Sequence, residues 1–323
     1  MSSLLAVDTE TTGVSFYDEA FGASLYDGTY SHWLELPSER AEVSARINTA
    51  GYLIFHNAKF DLQKLILAGV IPRRKRGIHD TEALAHLLDE HRPKKLKYLT
   101  RELLKEETPE EDELVAYVRK KANGINKKID GFSKVPRPIL IPYAIKDAEY
   151  TWRLFHLLYP QVQAYPDLLR LYEMEMDLTW ALLEMEADGL GVSEAYVNET
   201  IKDYSARILR AEWAIQDILG LEVWYPEKSG QKTPEGKFNP NSNPQIKAYY
   251  EGVNEVRDSY DAHNLREIND DFAQALLELR ALKKMYSTYL IPMREETVNG
   301  ILHPNIRQHG TVTGRMSSGR AEA

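Results

Sequence analysis

At 323 residues with a formal net charge of −9, the chain can bury a sizeable core and should form two domains with a fragment of a third. Its acidity argues against a general polyanion binder, and the absence of cysteine excludes disulfides and thiolate metal sites, which leaves oxygen or imidazole ligands and favours hard ions such as magnesium. No apolar run is long enough to span a bilayer and the N-terminus lacks a signal-peptide pattern, so no membrane partner is expected and the cytoplasm is the expected location.

In chain order, Leu4 to Val7 read as a short buried strand that ends in Asp8, Thr9, Glu10 and Thr11. Residues i and i+2 of a strand face the same way, so Asp8 and Glu10 converge on one spot. They are candidate metal ligands, with a turn or N-cap role as the alternative. Two other acid-x-acid pairs, Glu173 with Glu175 and Glu184 with Glu186, lie in helix-like stretches, where such residues diverge by about 200°.

Phe21 to Tyr26 and Tyr30 to Leu36 read as strands joined by an Asp27-Gly28 turn. A helix over 40–49 and a buried strand from Gly51 to Phe55 follow, and this alternation points to an α/β layer fold. His56 and Asn57 then lead into an amphipathic helix carrying Phe60, Leu62, Leu65, Ile66 and Leu67. Asp61 falls in its first turn, where an acid complements the helix dipole. It also follows a strand end, the usual position of ligand-binding groups in open α/β sheets.

Residues 71–137 are charged and loop-rich, with helix-like pieces around 81–89, 96–105 and 111–121. They hold 17 Lys and Arg against 12 Asp and Glu, and most of the basic residues recur in clusters: Arg73, Arg74, Lys75, Arg76; Arg92, Lys94, Lys95, Lys97; and Arg119, Lys120, Lys121, Lys127, Lys128. Each cluster alone reads as a solvated face, and several together could track a phosphate backbone. Pro142 is well placed to start the next helix, which runs to Tyr159. Tyr143 and Asp147 share a face of it. They can orient a water on a metal, or simply pack a tyrosine beside a surface acid. Beyond Pro160 the pattern predicts long helices over 166–187 and 193–219, an exposed loop over 225–244, and further helices over 265–285.

Taken together, Asp8-x-Glu10, Asn57-x-x-Phe60-Asp61 and Tyr143-x-x-x-Asp147 resemble, in order, spacing and flanking residues, the three exonuclease motifs of the tyrosine-containing subclass of the DEDD superfamily. The resemblance implies a ribonuclease-H-like α/β domain, a mixed sheet with flanking helices, over residues 1–160. It implies 3′-5′ exonuclease chemistry with two divalent ions, Mg2+ or Mn2+, on Asp8, Glu10, Asp61 and Asp147, some through water. Tyr143 would orient the attacking water. A phenol with a pKa of about 10 is a poor base near neutrality. Thr11, Asn57 and Phe60 would help position the terminal nucleotide, or Asn57 and Phe60 would brace the helix start. Four gathered carboxylates repel one another, and two divalent ions roughly 3.5 to 4 Å apart would remove that conflict.

A second resemblance covers the remainder. Leu183 to Leu190 is similar to the entry of the thumb in family A DNA polymerases, the bacterial polymerase I type, and Phe238 to Tyr250 is similar to a segment before the thumb tip. Leu302-His303-Pro304 and Thr311 to Ser318 resemble the motif where the palm begins. This implies a mainly α-helical thumb over 161–300 and the start of a palm over 301–323, with Arg315 against primer and template. The family's polymerase aspartates and fingers lie downstream of this motif. The chain is therefore expected not to synthesise DNA alone and to dock a separate chain carrying the rest of palm and fingers. Its expected substrates are single-stranded DNA 3′ ends and primer-template DNA, in a bacterial or phage-infected cell. Two rivals are an RNA-trimming exonuclease of the same superfamily and a non-catalytic DNA-binding scaffold.

Overall fold

Leu5, Ala6 and Val7 are almost fully buried and make β1 (Leu4–Thr11) the central strand of a five-stranded sheet. The structure is a computed structural model and describes residues 3–70, 77–126, 130–228 and 231–319. On one side of β1 lie β2 (Ala20–Tyr26) and β3 (Ser31–Glu35), both antiparallel to their neighbours. On the other lie β4 (Tyr52–Phe55) and β5 (Gly77–Asp80), both parallel. The order β3-β2-β1-β4-β5 is the mixed sheet expected of the α/β reading. The turn after β2 is longer than Asp27-Gly28 alone, because the Asp27 carboxylate accepts the N–H groups of both Thr29 and Tyr30 at 2.8 Å.

The connections are helical: α1 (Arg40–Thr49), α2 (Ala58–Leu67), α3 (Thr81–Leu88), α4 (Leu96–Leu99, continued by a wider turn over Thr100–Leu104) and α5 (Pro109–Arg119). The long α6 (Arg137–Gln163) packs along β1 and β2 and buries Leu140, Ala144, Asp147, Ala148 and Leu154. It begins at Arg137 rather than at Pro142. Pro138 lies in its first turn, and Pro142 falls inside, where the donor it lacks would have served the Pro138 carbonyl.

The chain forms two compact units. The first comprises the described parts of Met1–Gly189 and His303–Ala323, the second Leu190–Leu302. Helix α7 (Pro166–Asp188) belongs to the first, because Tyr172, Met176 and Leu183 are buried in the same apolar cluster as Leu5, Ile54 and Ile78. In the same unit, Glu186 is buried and accepts from the Lys59 ammonium and from the Ile306 N–H at 2.5 Å. This fastens the hairpin of Asn305–Arg307 and Ser317–Gly319 to the nearby start of α2.

The second unit is mainly helical, with long helices over Glu194–Leu219 and Asp271–Lys284 and shorter ones over Asn243–Gly252, Ala262–Ile268 and Ile291–Glu296. Its core gathers Ile208, Ile215, Phe238, Tyr250, Leu276 and Leu279. Residues 225–244 are not wholly an exposed loop. Phe238 is 2 % exposed and sits in the two-residue strand Lys237–Phe238, which pairs with Glu222–Val223. The buried ring and the Arg280 hydrogen bonds to the Pro240 carbonyl anchor the segment.

Candidate active site

The acids converge where β1 ends. Ligand oxygens of Asp8, Glu10 and Asp147 all lie within 4.8 Å of one another, with Glu10 and Asp147 buried. Strand alternation brings the first two together, and a shift in register between Glu10 and Thr11 bends the strand end beside them. Asp147 arrives on α6, which is tied to the sheet next to the site. Ser24, paired with Asp8 across β1 and β2, donates its hydroxyl to the Ala144 carbonyl at 2.7 Å. On the far side, Gly131 at φ +51° approaches so closely that a Cβ there would lie 2.1 Å from the Thr11 carbonyl oxygen. Only glycine fits that backbone and that gap.

Asp61 stands beside this trio rather than within it. Its Oδ1 accepts both the N–H of Thr9, at 3.0 Å, and the Thr9 hydroxyl, at 2.6 Å. It is 3 % exposed, and its charge is felt at Asp8. The first turn of α2 thus delivers the acid to the residue lying between Asp8 and Glu10.

Tyr143 and Asp147 lie one turn apart on the same face of α6, close enough for each to perturb the ionisation of the other. A buried lysine completes this wall. The Lys97 ammonium lies 2.5 Å from Asp147 Oδ1 and 3.0 Å from Glu110 Oε1, between the ring faces of Tyr143 and Tyr150, at 4.3 and 5.0 Å from their centroids. The ammonium and Asp147 Oδ1 are paired in charge, but the approach is poorly aligned for a hydrogen bond, so this buried oxygen has no well-aligned donor.

Burial dominates the electrostatics. It raises the pKa of Asp8 well above the carboxylate range, and the negative charges of Asp61, Asp147 and Glu10 add to it. Asp61 is pushed up to about 8 by burial, against the lowering effect of the two Thr9 hydrogen bonds. Asp147 is also raised by burial, although Lys97 opposes the rise. Burial and the neighbouring carboxylates hold Tyr143 well above the usual phenol value. For Lys97, burial alone would favour the neutral amine, but Asp147 and Glu110 outweigh it and hold the pKa above the ordinary lysine value. Acids buried this deeply take up protons unless cations join them.

The remaining predicted residues are less concentrated. Thr11 donates its hydroxyl to the Gly13 carbonyl at 2.7 Å. Asn57 precedes α2 in a left-handed conformation (φ 72°), and its side chain makes no cap hydrogen bond. That service comes from Asp80, which accepts the N–H groups of Asn57 and Ala58 at 3.0 and 2.7 Å. Phe60 is half-buried, with the Lys64 ammonium 5.3 Å from its ring centroid. Arg315 is exposed.

The basic clusters fall only partly within the described residues. Arg73 to Arg76, and Lys127 with Lys128, lie outside the described residues. Of the middle cluster, Arg92 pairs with Asp89, Lys94 donates to the His309 carbonyl, and Lys97 turns into the acidic site. Lys97 and Glu110 were missed as site residues because, in sequence, they look like any charges on amphipathic helices.

The donor set fits divalent cations. Three converging carboxylate oxygens, a fourth carboxylate beside them and an acceptor without an aligned donor are hard oxygen ligands of the kind Mg2+ and Mn2+ take. A mixed sheet with acids at the end of its central strand defines the class as an α/β metal-dependent nuclease. The comparisons make the assignment specific. A model of the 3′-5′ exonuclease of family A DNA polymerases matches residues 1–163. The chain belongs to this 3′-5′ exonuclease family.

Among similar proteins is DNA polymerase I of Chloroflexus aurantiacus, 29 % identical over 283 residues, covering 81 % of this chain and 27 % of that protein. The DNA polymerase of Escherichia phage T5 is 28 % identical over 290 residues, covering 82 % and 33 %. DNA polymerase DpoZ of Vibrio phage phiVC8 is 27 % identical over 354 residues, covering 96 % and 53 %. The chain thus spans about a quarter to a half of the length of these relatives. The polymerase domain of Pol1 from M. smegmatis, solved with DNA primer-template and dNTP, shares the fold at a TM-score of 0.71 and 18 % identity, over 98 % of this chain and 51 % of that one.

Proposed function

We propose that this chain is the proofreading part of a family A DNA polymerase, removing nucleotides one at a time from DNA 3′ ends. The observation that carries the reading is the convergence of Asp8, Glu10 and Asp147 within 4.8 Å, with Asp61 held beside them by Thr9. These four carboxylates would hold two divalent ions, with magnesium as the physiological choice. When bound, the ions would activate a water and stabilise the charge on the leaving 3′ oxygen.

The chain's own residues do the positioning. Asp8 and Glu10 present their oxygens from a rigid central strand, and Asp147 presents its own from a long helix packed on that strand. Tyr143, protonated at any physiological pH, offers its hydroxyl beside Asp147 to orient the attacking water. Thr11, Asn57 and Phe60 are proposed to seat the terminal nucleotide, and Arg315 to meet primer-template DNA. By domain, residues 1–160 would carry the nuclease, 161–300 a thumb that grips duplex backbone through Lys and Arg with salt-sensitive affinity, and 301–323 the start of a palm. Among the described residues no helix is long and apolar enough to cross a membrane, and the relatives come from bacteria and phages, which supports work in a bacterial or phage-infected cytoplasm.

The substrate class is tested by giving the protein matched DNA and RNA oligonucleotides, and DNA duplexes with paired or mispaired 3′ ends, in magnesium. Faster shortening of DNA than RNA, and of mispaired than paired ends, is the expected result. Preference for RNA would replace proofreading by RNA trimming, and no shortening of either would favour the scaffold.

A further inference from the structure

Lys97 is a buried cation inside a site built to hold cations, and the nuclease motifs assign it nothing. Its side chain is 9 % exposed, and those of Asp147 and Glu110 are 8 % and 11 % exposed. The three groups thus interact with little water between them, where charge pairs are strong. The ammonium reaches both carboxylates at once, 2.5 Å from Asp147 and 3.0 Å from Glu110. It is the nearer to Asp147, one of the three acids whose oxygens converge.

We propose that Lys97 is a positioning residue that competes with the divalent ion for Asp147, and that Glu110 receives its ammonium when the ion binds. The inference rests on the nuclease reading of the acidic cluster. A divalent ion held by the Asp147 carboxylate would repel the Lys97 ammonium paired with that carboxylate. The lysine stem has four flexible bonds and three donors, so the ammonium can turn fully to Glu110 while staying between the rings of Tyr143 and Tyr150. The charges then balance. Lys97 with Glu110 sums to zero, and Asp8, Glu10, Asp61 and Asp147 at −4 match two divalent ions.

Glu110 is placed for this role. It lies in the first turn of α5 and already accepts a hydrogen bond from the Lys97 ammonium at 3.0 Å. The pair therefore sets how tightly the site takes its metal, and keeps Asp147 neutralised between turnovers. Tyr143 is linked to the same switch, because its ring flanks the ammonium.

The test is Mn2+ binding to the full chain by calorimetry, with thermal melts in EDTA and in Mn2+, for wild type, Lys97→Met and Glu110→Gln. Removing the competitor should tighten Mn2+ binding about tenfold, the change expected for roughly 1.4 kcal/mol. It should also enlarge the Mn2+-induced rise in melting temperature. Removing the receiving carboxylate should act in the opposite direction and weaken binding several-fold. A lysine that merely braces α4 against α6 would lower both melting curves equally and leave the Mn2+ affinity alone, which would overturn the proposal. So would weaker binding in Lys97→Met. If Lys97→Met fails to fold, Glu110→Gln decides alone, unchanged or tighter binding being the contrary result. Wild type that binds no Mn2+ would instead overturn the nuclease reading itself.

Discussion

Thr9 gives Asp61 both of its donors, the backbone N–H at 3.0 Å and the hydroxyl at 2.6 Å, so the residue between two converging acids also fixes a third. A hydrogen bond to a charged group contributes about 1.5 to 3 kcal/mol. Thr9→Val keeps the shape and the N–H but removes the shorter contact. We expect a stability loss of about 1 to 2 kcal/mol in urea melts and roughly a tenfold fall in exonuclease rate, since Asp61 can then rotate away. Unchanged activity would mean that Asp61 needs no orientation.

Stability should depend on pH in an unusual direction. A carboxyl group starts near pKa 3.9 in the unfolded chain, and Asp61 reaches about 8 in the fold, with Asp8 also raised. Between these values the folded state binds more protons than the unfolded one. Stability is therefore fullest at low pH and falls as pH rises from about 4 to about 8. Melts in EDTA at pH 5 and pH 8 should show the metal-free protein weaker at pH 8. Excess Mg2+ should remove most of that difference by replacing the protons.

Tyr143 is expected to matter without titrating. Tyr143→Phe keeps the ring beside Lys97 and loses only the hydroxyl on the Asp147 side of the site. We predict near-normal metal affinity and a ten- to hundredfold loss in kcat, the scale of a misplaced nucleophile. Because the phenol's pKa lies well above the usual value, the shape of the kcat profile with pH should be the same in wild type and variant. A limb that disappears in Tyr143→Phe would assign it a proton-transfer role instead.

Lys64 supports the site from below. It is fully buried and donates to the carbonyls of Ser15, Phe16 and Asp18, in the loop that follows β1. Lys64→Met would leave the Phe16 and Asp18 carbonyls without this donor, while the Ser15 carbonyl keeps the Asp18 N–H at 3.1 Å. Each unsatisfied buried acceptor costs about 1 to 3 kcal/mol, less whatever water recovers. A loss of about 2 to 4 kcal/mol by urea unfolding is expected, together with faster proteolysis within residues 12–19.

How much was legible in sequence follows from the range of each signal. Asp8 with Glu10, and Tyr143 with Asp147, were readable because strand and helix periods put each pair on one face. The central β1 and the alternation of strand and helix were readable from apolar runs. Lys97 was not, since a lysine among Arg92, Lys94 and Lys95 carries no mark of its burial until α4 packs beside α6. Asp80 was missed for a similar reason. It caps a helix that starts earlier in the chain, on the neighbouring strand connection. Pro142 misled because proline favours a helix start, yet Pro138 had already taken that position. Phe238 was hidden by the Gly, Pro and Asn around it, although its buried ring, with the Arg280 hydrogen bonds to the Pro240 carbonyl, holds the segment down.

The most direct measurement is digestion of single-stranded DNA carrying its label at the 5′ end, compared with the same strand labelled at the 3′ end, in Mg2+. The wild-type protein should give a descending ladder from the first and release the label at once as a mononucleotide from the second. EDTA and Asp147→Ala should each abolish both. A 5′ label released first, or shortening that survives Asp147→Ala, would contradict the assignment of this acidic cluster as a 3′-5′ exonuclease centre.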